Sequence, residues 1–130
     1  MKTQAKTLSI FLMSCFLITG CSKDEVTDLR SSADIIYEKA TNSMENGNYR
    51  NATNYLEVLT TSFPFSNQAK QAQLDLIFAH YRSSSFEEAI DEAKQFEKEN
   101  PTHPRVDYAL YMRGLALFEG QHSWYHDVFD

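Results

Sequence analysis

The sequence has few of the residues from which catalytic and metal-binding motifs are built. Its 130 residues include 4 glycines, 3 prolines, 4 histidines and 2 cysteines. The glycines form no phosphate-binding loop, and no serine or cysteine lies in a recognisable nucleophile motif. Both cysteines, Cys15 and Cys21, lie in or beside the N-terminal segment, which leaves no disulfide framework and no cysteine metal site in the rest of the chain. We therefore expect no enzyme activity and no cofactor.

Basic residues are also scarce. The chain has 12 basic against 18 acidic residues, and without residues 1–20 the balance is 10 against 18. Contacts to nucleic-acid phosphates need a basic face, so we expect no nucleic-acid partner. Hydrophobic residues make up 42% and aromatic residues 13% of the chain, which is enough for the core of one small folded domain.

One pattern near the C-terminus suits metal binding weakly. His122 and His126 are four residues apart, with Asp127 beside them, and on a helix such a pair can bind a divalent metal. Two ligands without a third at fixed spacing are more often part of a polar surface, so we expect no metal site. A metal-dependent hydrolase remains the alternative, and it requires activity that depends on either histidine.

The first twenty-one residues have the pattern of an export signal. Lys2 and Lys6 precede an apolar run over residues 8–18, and two small residues follow before Cys21. The apolar run spans only about 17 Å as a helix, too short for a hydrocarbon core of about 30 Å. We therefore predict a cleaved signal peptide over residues 1–20.

The end of this signal resembles the bacterial lipobox. Leu-Ile-Thr-Gly precedes Cys21, and the resemblance implies cleavage before the cysteine, a diacylglycerol on its sulfur and an acyl chain such as palmitate on the new amino group. Three acyl chains anchor a protein far better than one. By the same resemblance, Ser22 favours sorting to the outer membrane. An ordinary secretory signal with an incidental cysteine is the alternative. Residues 21–31 are predicted to be the lipidated cysteine and a flexible tether.

A repeat of 37 residues organises the remainder of the chain. Residues of similar type recur at this offset, pairing Gly47 with Ser84, Tyr49 with Phe86, Ala52 with Ala89, Leu56 with Ala93, and Pro64 with Pro101. Apolar residues between these positions recur every three or four residues, which indicates amphipathic helices. Tetratricopeptide (TPR) arrays have repeats of about 34 residues with this small-aromatic-Ala-apolar-Pro pattern, and they stack helix pairs into a scaffold that binds peptides and proteins. The predicted fold is an all-α, TPR-like solenoid of about two and a half repeats.

The repeat boundaries and helix ends follow from local signals. Repeats are predicted at 32–65 and 66–102, with an incomplete third at 103–130. The first helix should begin near Ser31 or Ser32, Asn48 should cap the second helix, and Ser85 with Glu88 should form a capping box. The helix within 66–82 is apolar on two faces, as an internal element of a solenoid requires.

The third repeat is predicted to be incomplete. Its first helix should run from about residue 106 to Gly120, with Gly114 at a crowded helix contact that wants a small residue. Residues 121–130 do not form a complete second apolar stripe. We therefore expect the chain to be part of a longer protein, since an uncovered apolar helix needs a partner.

Several motifs resemble one family in particular. Phe63-Pro64-Phe65, the run Gln-Leu-Asp-Leu-Ile at 73–77, Asn-Pro-Thr-His-Pro at 100–104 and Tyr-Met-Arg-Gly-Leu at 111–115 resemble the BamD, or ComL-type, outer-membrane protein assembly factors. The likeness covers about residues 33–118 and corresponds to the N-terminal part of the family. It implies an outer-membrane lipoprotein that faces the periplasm and helps recognise, fold and insert β-barrel proteins. It also implies the partners BamA and BamC of the β-barrel assembly (BAM) complex.

The first helices of the three repeats, here called the inner helices, would then line a groove for unfolded β-barrel segments that expose aromatic side chains and a terminal carboxylate. Six residues are candidates for contacting partner or substrate: Tyr37, Asp75, Tyr81, Tyr108, Tyr111 and Arg113. Packing alone also explains Tyr37, Tyr81 and Tyr111, and Asp75 with Arg113 can instead form an ion pair between helices. Another periplasmic TPR lipoprotein, serving cell-envelope or division proteins, is the alternative function.

Overall fold

The computed structural model describes residues 23–129, with side chains from 32 to 121. Helices account for all the regular secondary structure in this part of the chain. They are α1 (Lys23–Glu45), α2 (Tyr49–Ser62), α3 (Ala69–Arg82), α4 (Phe86–Glu99) and α5 (Val106–Phe129). Each helix packs against the next, and α3 also contacts α5. The predicted all-α arrangement of stacked helix pairs is confirmed.

The 37-residue repeat of the sequence is also a repeat of backbone hydrogen bonds. At the end of α1, the amide of Asn48 donates to the carbonyl of Ser43 over 2.8 Å, and at the end of α3 the amide of Ser85 donates to His80 over 2.9 Å. These bonds satisfy carbonyls that the helix ends would otherwise leave without partners. The two repeats therefore make the same turn with different side chains.

Both turns require a left-handed backbone at one residue. Gly47 has a φ of 73° and Ser84, its repeat equivalent, has a φ of 63°. Glycine adopts this conformation without a steric penalty, whereas serine does not. Ser84 is the only residue other than glycine with positive φ in the described chain. The second repeat thus keeps the turn geometry at a conformational cost.

Two hydrophobic clusters lie on opposite sides of α3. The first joins α1, α2 and α3 around Leu56, Leu59 and Leu76, while the second joins α3, α4 and α5 around Leu74 and Phe96. The prediction that the third helix packs on two faces is confirmed. Because α3 contributes to both clusters, its alternate faces hold the two repeats together.

Two predicted helix ends differ from the structure. The first helix begins at Lys23, eight residues before Ser31, so most of the predicted tether has helical backbone. Residues 23–45 contain no glycine or proline to end the helix earlier. The last helix continues through Gly120 to Phe129, since one glycine weakens a helix without breaking it. The predicted signal peptide and Cys21 lie outside the described residues.

Two local predictions are wrong for different reasons. Ser85 precedes α4 with a φ of −85°, close to the −87° of Asn48, but only Asn48 caps its helix with the side chain, over 3.1 Å to the amide of Asn51. The capping box with Glu88 therefore does not form. Gly114 is not at a crowded contact, because a Cβ there would have no atom within 4 Å.

Candidate functional site

A chain of polar side chains links α1, α3 and the start of α5. The Tyr37 hydroxyl donates to Oδ2 of Asp75 over 2.8 Å, and the Gln71 amide donates to Oδ1 of the same carboxylate over 2.7 Å. Both oxygens of Asp75 are thus bonded, and the carboxylate is held between two helices. Burial raises the pKa of Tyr37, and the hydrogen bond to Asp75 and its charge raise it further, so this phenol stays protonated.

The chain of contacts continues to Arg105. Its guanidinium donates from Nη1 to Oε1 of Gln71 over 2.8 Å and lies 4.9 Å from the ring centroid of Tyr108. A guanidinium over an aromatic face is attracted by the ring electrons. Arg105 is itself exposed, so two neighbouring side chains position a cation at the surface.

A second bond shows that this contact belongs to the repeat. The Gln68 amide donates to Oδ1 of Asp34, and these two positions lie 37 residues before Arg105 and Gln71. In each case a residue just before an inner helix donates to a residue on the preceding inner helix. We call the surface formed by these bonded residues and their neighbours the ladder face, comprising Asp34, Tyr37, Gln68, Gln71, Asp75, Arg105, Tyr108 and Tyr111.

The aromatic end of the ladder face lies on α5. Tyr108 is half-buried, and burial, followed by the negative charge of Asp75, raises its pKa against the opposing effect of Arg105. Tyr111, one helical turn after Tyr108, is 61% exposed. The half-buried phenol of Tyr108 and the exposed ring of Tyr111 suit contact with a partly apolar ligand.

The structure brings together four of the six candidates proposed from the sequence. Tyr37, Asp75 and Tyr108 are joined through Gln71 and Arg105, and Tyr111 extends the same face. Sequence reasoning missed Gln71 and Arg105, which link these candidates, and also Asp34 and Gln68 at the equivalent positions one repeat earlier. The 37-residue offset could have identified the bond between Gln71 and Arg105, because it aligns Gln71 with Asp34 and Arg105 with Gln68.

The other two candidates lie elsewhere. Tyr81 packs against the second hydrophobic cluster, with its ring 5.9 Å from that of Phe86. Arg113 donates to Glu97 on α4 over 2.8 Å. The suggested ion pair between Asp75 and Arg113 is therefore wrong, because each has a nearer partner.

Two clefts lie outside the ladder face. One of about 440 Å³ separates the start of α4 from α5 and is lined by Phe86, Ile90 and Leu117. The other, of about 450 Å³, lies beside Pro64 and Phe65. Phe65 is 99% exposed. Neither cleft contains residues of the ladder face.

The described side chains hold no cluster of three residues suited to a metal ion. The predicted pair His122 and His126 lies outside those side chains. Among the described helices, none is both long enough and apolar enough to span a membrane.

The sequence of this chain is similar to those of several known proteins. A tetratricopeptide repeat profile matches residues 22–130. The outer membrane protein assembly factor BamD of Vibrio cholerae is 34% identical over 121 residues, covering 92% of this chain and 49% of the relative. BamD of Neisseria gonorrhoeae is 33% identical over 118 residues, covering 91% and 44%, and that of Pasteurella multocida is 29% identical over 124 residues, covering 95% and 47%. The chain spans about half the length of the curated relatives it matches.

Proposed function

The chain belongs to the tetratricopeptide repeat family, and we propose that it serves as a scaffold in the assembly of outer-membrane β-barrel proteins. The observation that carries this proposal is its similarity, over about nine tenths of its length, to several proteins named outer membrane protein assembly factor BamD. These relatives are named for assembly, which supports a binding role for this chain in place of catalysis.

The ladder face is the proposed surface for unfolded β-barrel segments. An extended polypeptide has free backbone donors and acceptors, and it is recognised by fixed polar groups together with pockets for side chains. The carboxylate of Asp75 and the guanidinium of Arg105 are both fixed by hydrogen bonds. Groups that are already ordered lose little freedom on binding, which favours affinity.

Location and partners complete the proposal. Lipidation of Cys21 would attach the chain to the outer membrane facing the periplasm, where unfolded barrel proteins arrive. BamA and BamC are the proposed protein partners, on the basis of the resemblance in sequence. The segment that would carry the lipid precedes α1, which begins at Lys23.

A binding experiment tests the proposed surface. The full chain is mixed with a urea-denatured β-barrel protein diluted into buffer, and the dissociation constant is measured for the wild type and for Asp75→Asn. We expect weaker binding by the variant, since the asparagine amide would offer one acceptor oxygen where the carboxylate of Asp75 binds two donors.

The matched control is Asp91→Asn, because Asp91 is an exposed carboxylate bonded only to Lys94 on α4 among the described contacts. This control loses the same charge and should bind as the wild type does. Equal binding by all three proteins, each with an unchanged helical spectrum, would remove the ladder face from the proposal.

Co-purification tests the complex. The tagged chain, extracted from cell envelopes with detergent, should carry BamA and BamC, identified by mass spectrometry. Recovery of division or cell-wall proteins without either subunit would favour the alternative scaffold role.

The lipid anchor has a separate test. Cys21→Ser should lose the mass of the attached lipid and disappear from the outer-membrane fraction. A cysteine that carries no lipid in the wild type would favour the ordinary secretory signal.

A further inference from the structure

The two repeats make the same ladder bond with different charges. In the first, neutral Gln68 donates to the carboxylate of Asp34; in the second, the guanidinium of Arg105 donates to the neutral amide of Gln71. An ion pair would form if one of these bonds joined an acidic residue to a basic one. Instead, the negative charge lies on α1 and the positive charge lies beside α5. The third charged residue of the ladder face, Asp75, lies on α3 between them, with its oxygens bonded to Tyr37 and Gln71. The face therefore has an acidic end at Asp34 and a basic end at Arg105.

The basic end has the features of an anion-binding group. Among the described side chains Arg105 forms no ion pair, and the nearby carboxylate of Asp75 is bonded to Tyr37 and Gln71 instead. One of its nitrogens is bonded to Gln71, and its plane is held near the Tyr108 ring, 4.9 Å from the centroid. A guanidinium has five N–H donors, so most remain available to a ligand, and its fork matches a carboxylate.

We propose that Arg105 binds a carboxylate of the polypeptide held on the ladder face, and so fixes the direction in which that polypeptide lies. The carboxylate comes either from the C-terminus of the bound chain or from an acidic side chain. Tyr111, exposed one turn after Tyr108 on α5, contacts an apolar residue beside it. Asp34, at the opposite end, disfavours the reverse orientation through repulsion of the same carboxylate. This inference rests on the proposed function, because it concerns the same surface.

Three peptides separate the possible sources of the carboxylate. The first is an acetylated ten-residue peptide of alternating aromatic and neutral polar residues with a free C-terminal carboxylate. The second is the same peptide with an amidated C-terminus, and the third is the amidated peptide with one internal glutamate. Fluorescence polarisation gives the dissociation constant of each peptide with the full chain.

Arg105→Gln is the informative variant. Glutamine at this position retains a donor for Gln71, as Gln68 does for Asp34 in the first repeat, so the ladder bond and the fold should persist while the charge is lost. The matched control is Arg82→Gln, since Arg82 also lies over an aromatic ring, 4.7 Å from the centroid of Tyr49. Arg82 follows Gln71 by eleven residues on α3, about 17 Å along the helix axis.

For the wild type we expect the free-acid peptide to bind about five- to tenfold more tightly than the amidated one. Recovery of affinity by the internal glutamate would assign the site to acidic side chains as well as to chain ends. Arg105→Gln should abolish the difference between the peptides, and Arg82→Gln should preserve it. Raising the salt concentration should weaken the free-acid complex selectively.

Two results would overturn the inference. If the wild type binds all three peptides equally, or if Arg105→Gln leaves the preference unchanged, the carboxylate is not held by Arg105. Either result leaves the proposed function intact provided that the peptides and the denatured barrel protein still bind. If the wild type binds neither the peptides nor the denatured barrel protein, the proposed function fails together with this inference.

Discussion

Replacing Ser84 with glycine should stabilise the fold by about 0.5–1 kcal/mol. Ser84 holds a φ of 63°, and a left-handed backbone costs a residue with a side chain roughly 1–2 kcal/mol. Glycine removes this cost but adds freedom to the unfolded chain, which opposes the gain by about 0.4–1 kcal/mol. The two effects act on different states, and the relief of backbone strain is the larger.

Two further substitutions test whether the left-handed backbone, and not the loss of a serine, causes the effect. Gly47→Ala places a side chain at the equivalent turn, where φ is 73° and no atom lies within 4 Å of the new Cβ, so only backbone strain should oppose it. We expect a loss of about 0.5–1 kcal/mol. Ser83→Gly is the control, because Ser83 has an ordinary φ of −89° and its hydroxyl donates to the carbonyl of Ala79 over 2.9 Å. That variant should be less stable than the wild type.

Urea unfolding at 25 °C, followed by far-ultraviolet circular dichroism, gives the three free energies of unfolding. The dependence on urea concentration should be the same for each variant, since none changes the buried surface appreciably. If Ser84→Gly is no more stable than the wild type while Gly47→Ala costs nothing, then the left-handed turn does not strain Ser84 and the argument fails.

Three other substitutions test separate parts of the structure. Gly114→Ala should stabilise α5 by about 0.5–1 kcal/mol in a thermal melt, since the new methyl group meets no neighbour, whereas a loss of stability would restore the predicted crowding. Burial lowers the pKa of His80 from 6.5, against the smaller opposing effect of Glu57, so the unfolded state binds more protons than the folded state. The free energy of unfolding should therefore fall as the pH drops from 7 to 6. His80→Gln should make that fall smaller. Arg113→Met should cost about 1 kcal/mol in urea unfolding, because it removes the partner of the half-buried Glu97 carboxylate, and no change would mean that solvent replaces the ion pair.

The repeat was predictable because it depends on residue types at fixed spacing. Gly47 marks the turn after α1, and Pro64 and Pro101 mark equivalent turns after α2 and α4. Local chemistry also predicted the cap at Asn48. It failed at Ser85, where nearly the same backbone angles are present but the side chain makes no capping bond.

The ladder face was only partly predictable, because polar partners depend on how far apart the helices lie. Asp75 and Arg113 have opposite charges and lie on neighbouring helices, which made an ion pair reasonable from the sequence. The structure pairs Asp75 with Tyr37 from the other side of α3, and Arg113 with Glu97 from α4. Charge alone did not select among these neighbours.

The amino-acid sequence by itself determined the helical repeat, its 37-residue period and the two-sided character of α3, since these follow from short-range periodicity and turn chemistry. Tertiary structure decided which polar side chains meet, and it placed the guanidinium of Arg105 on the ladder face and bonded that of Arg113 to Glu97. The physical reason is distance: hydrogen bonds form only within about 3 Å, and the rotation and spacing of packed helices decide which donors and acceptors come that close.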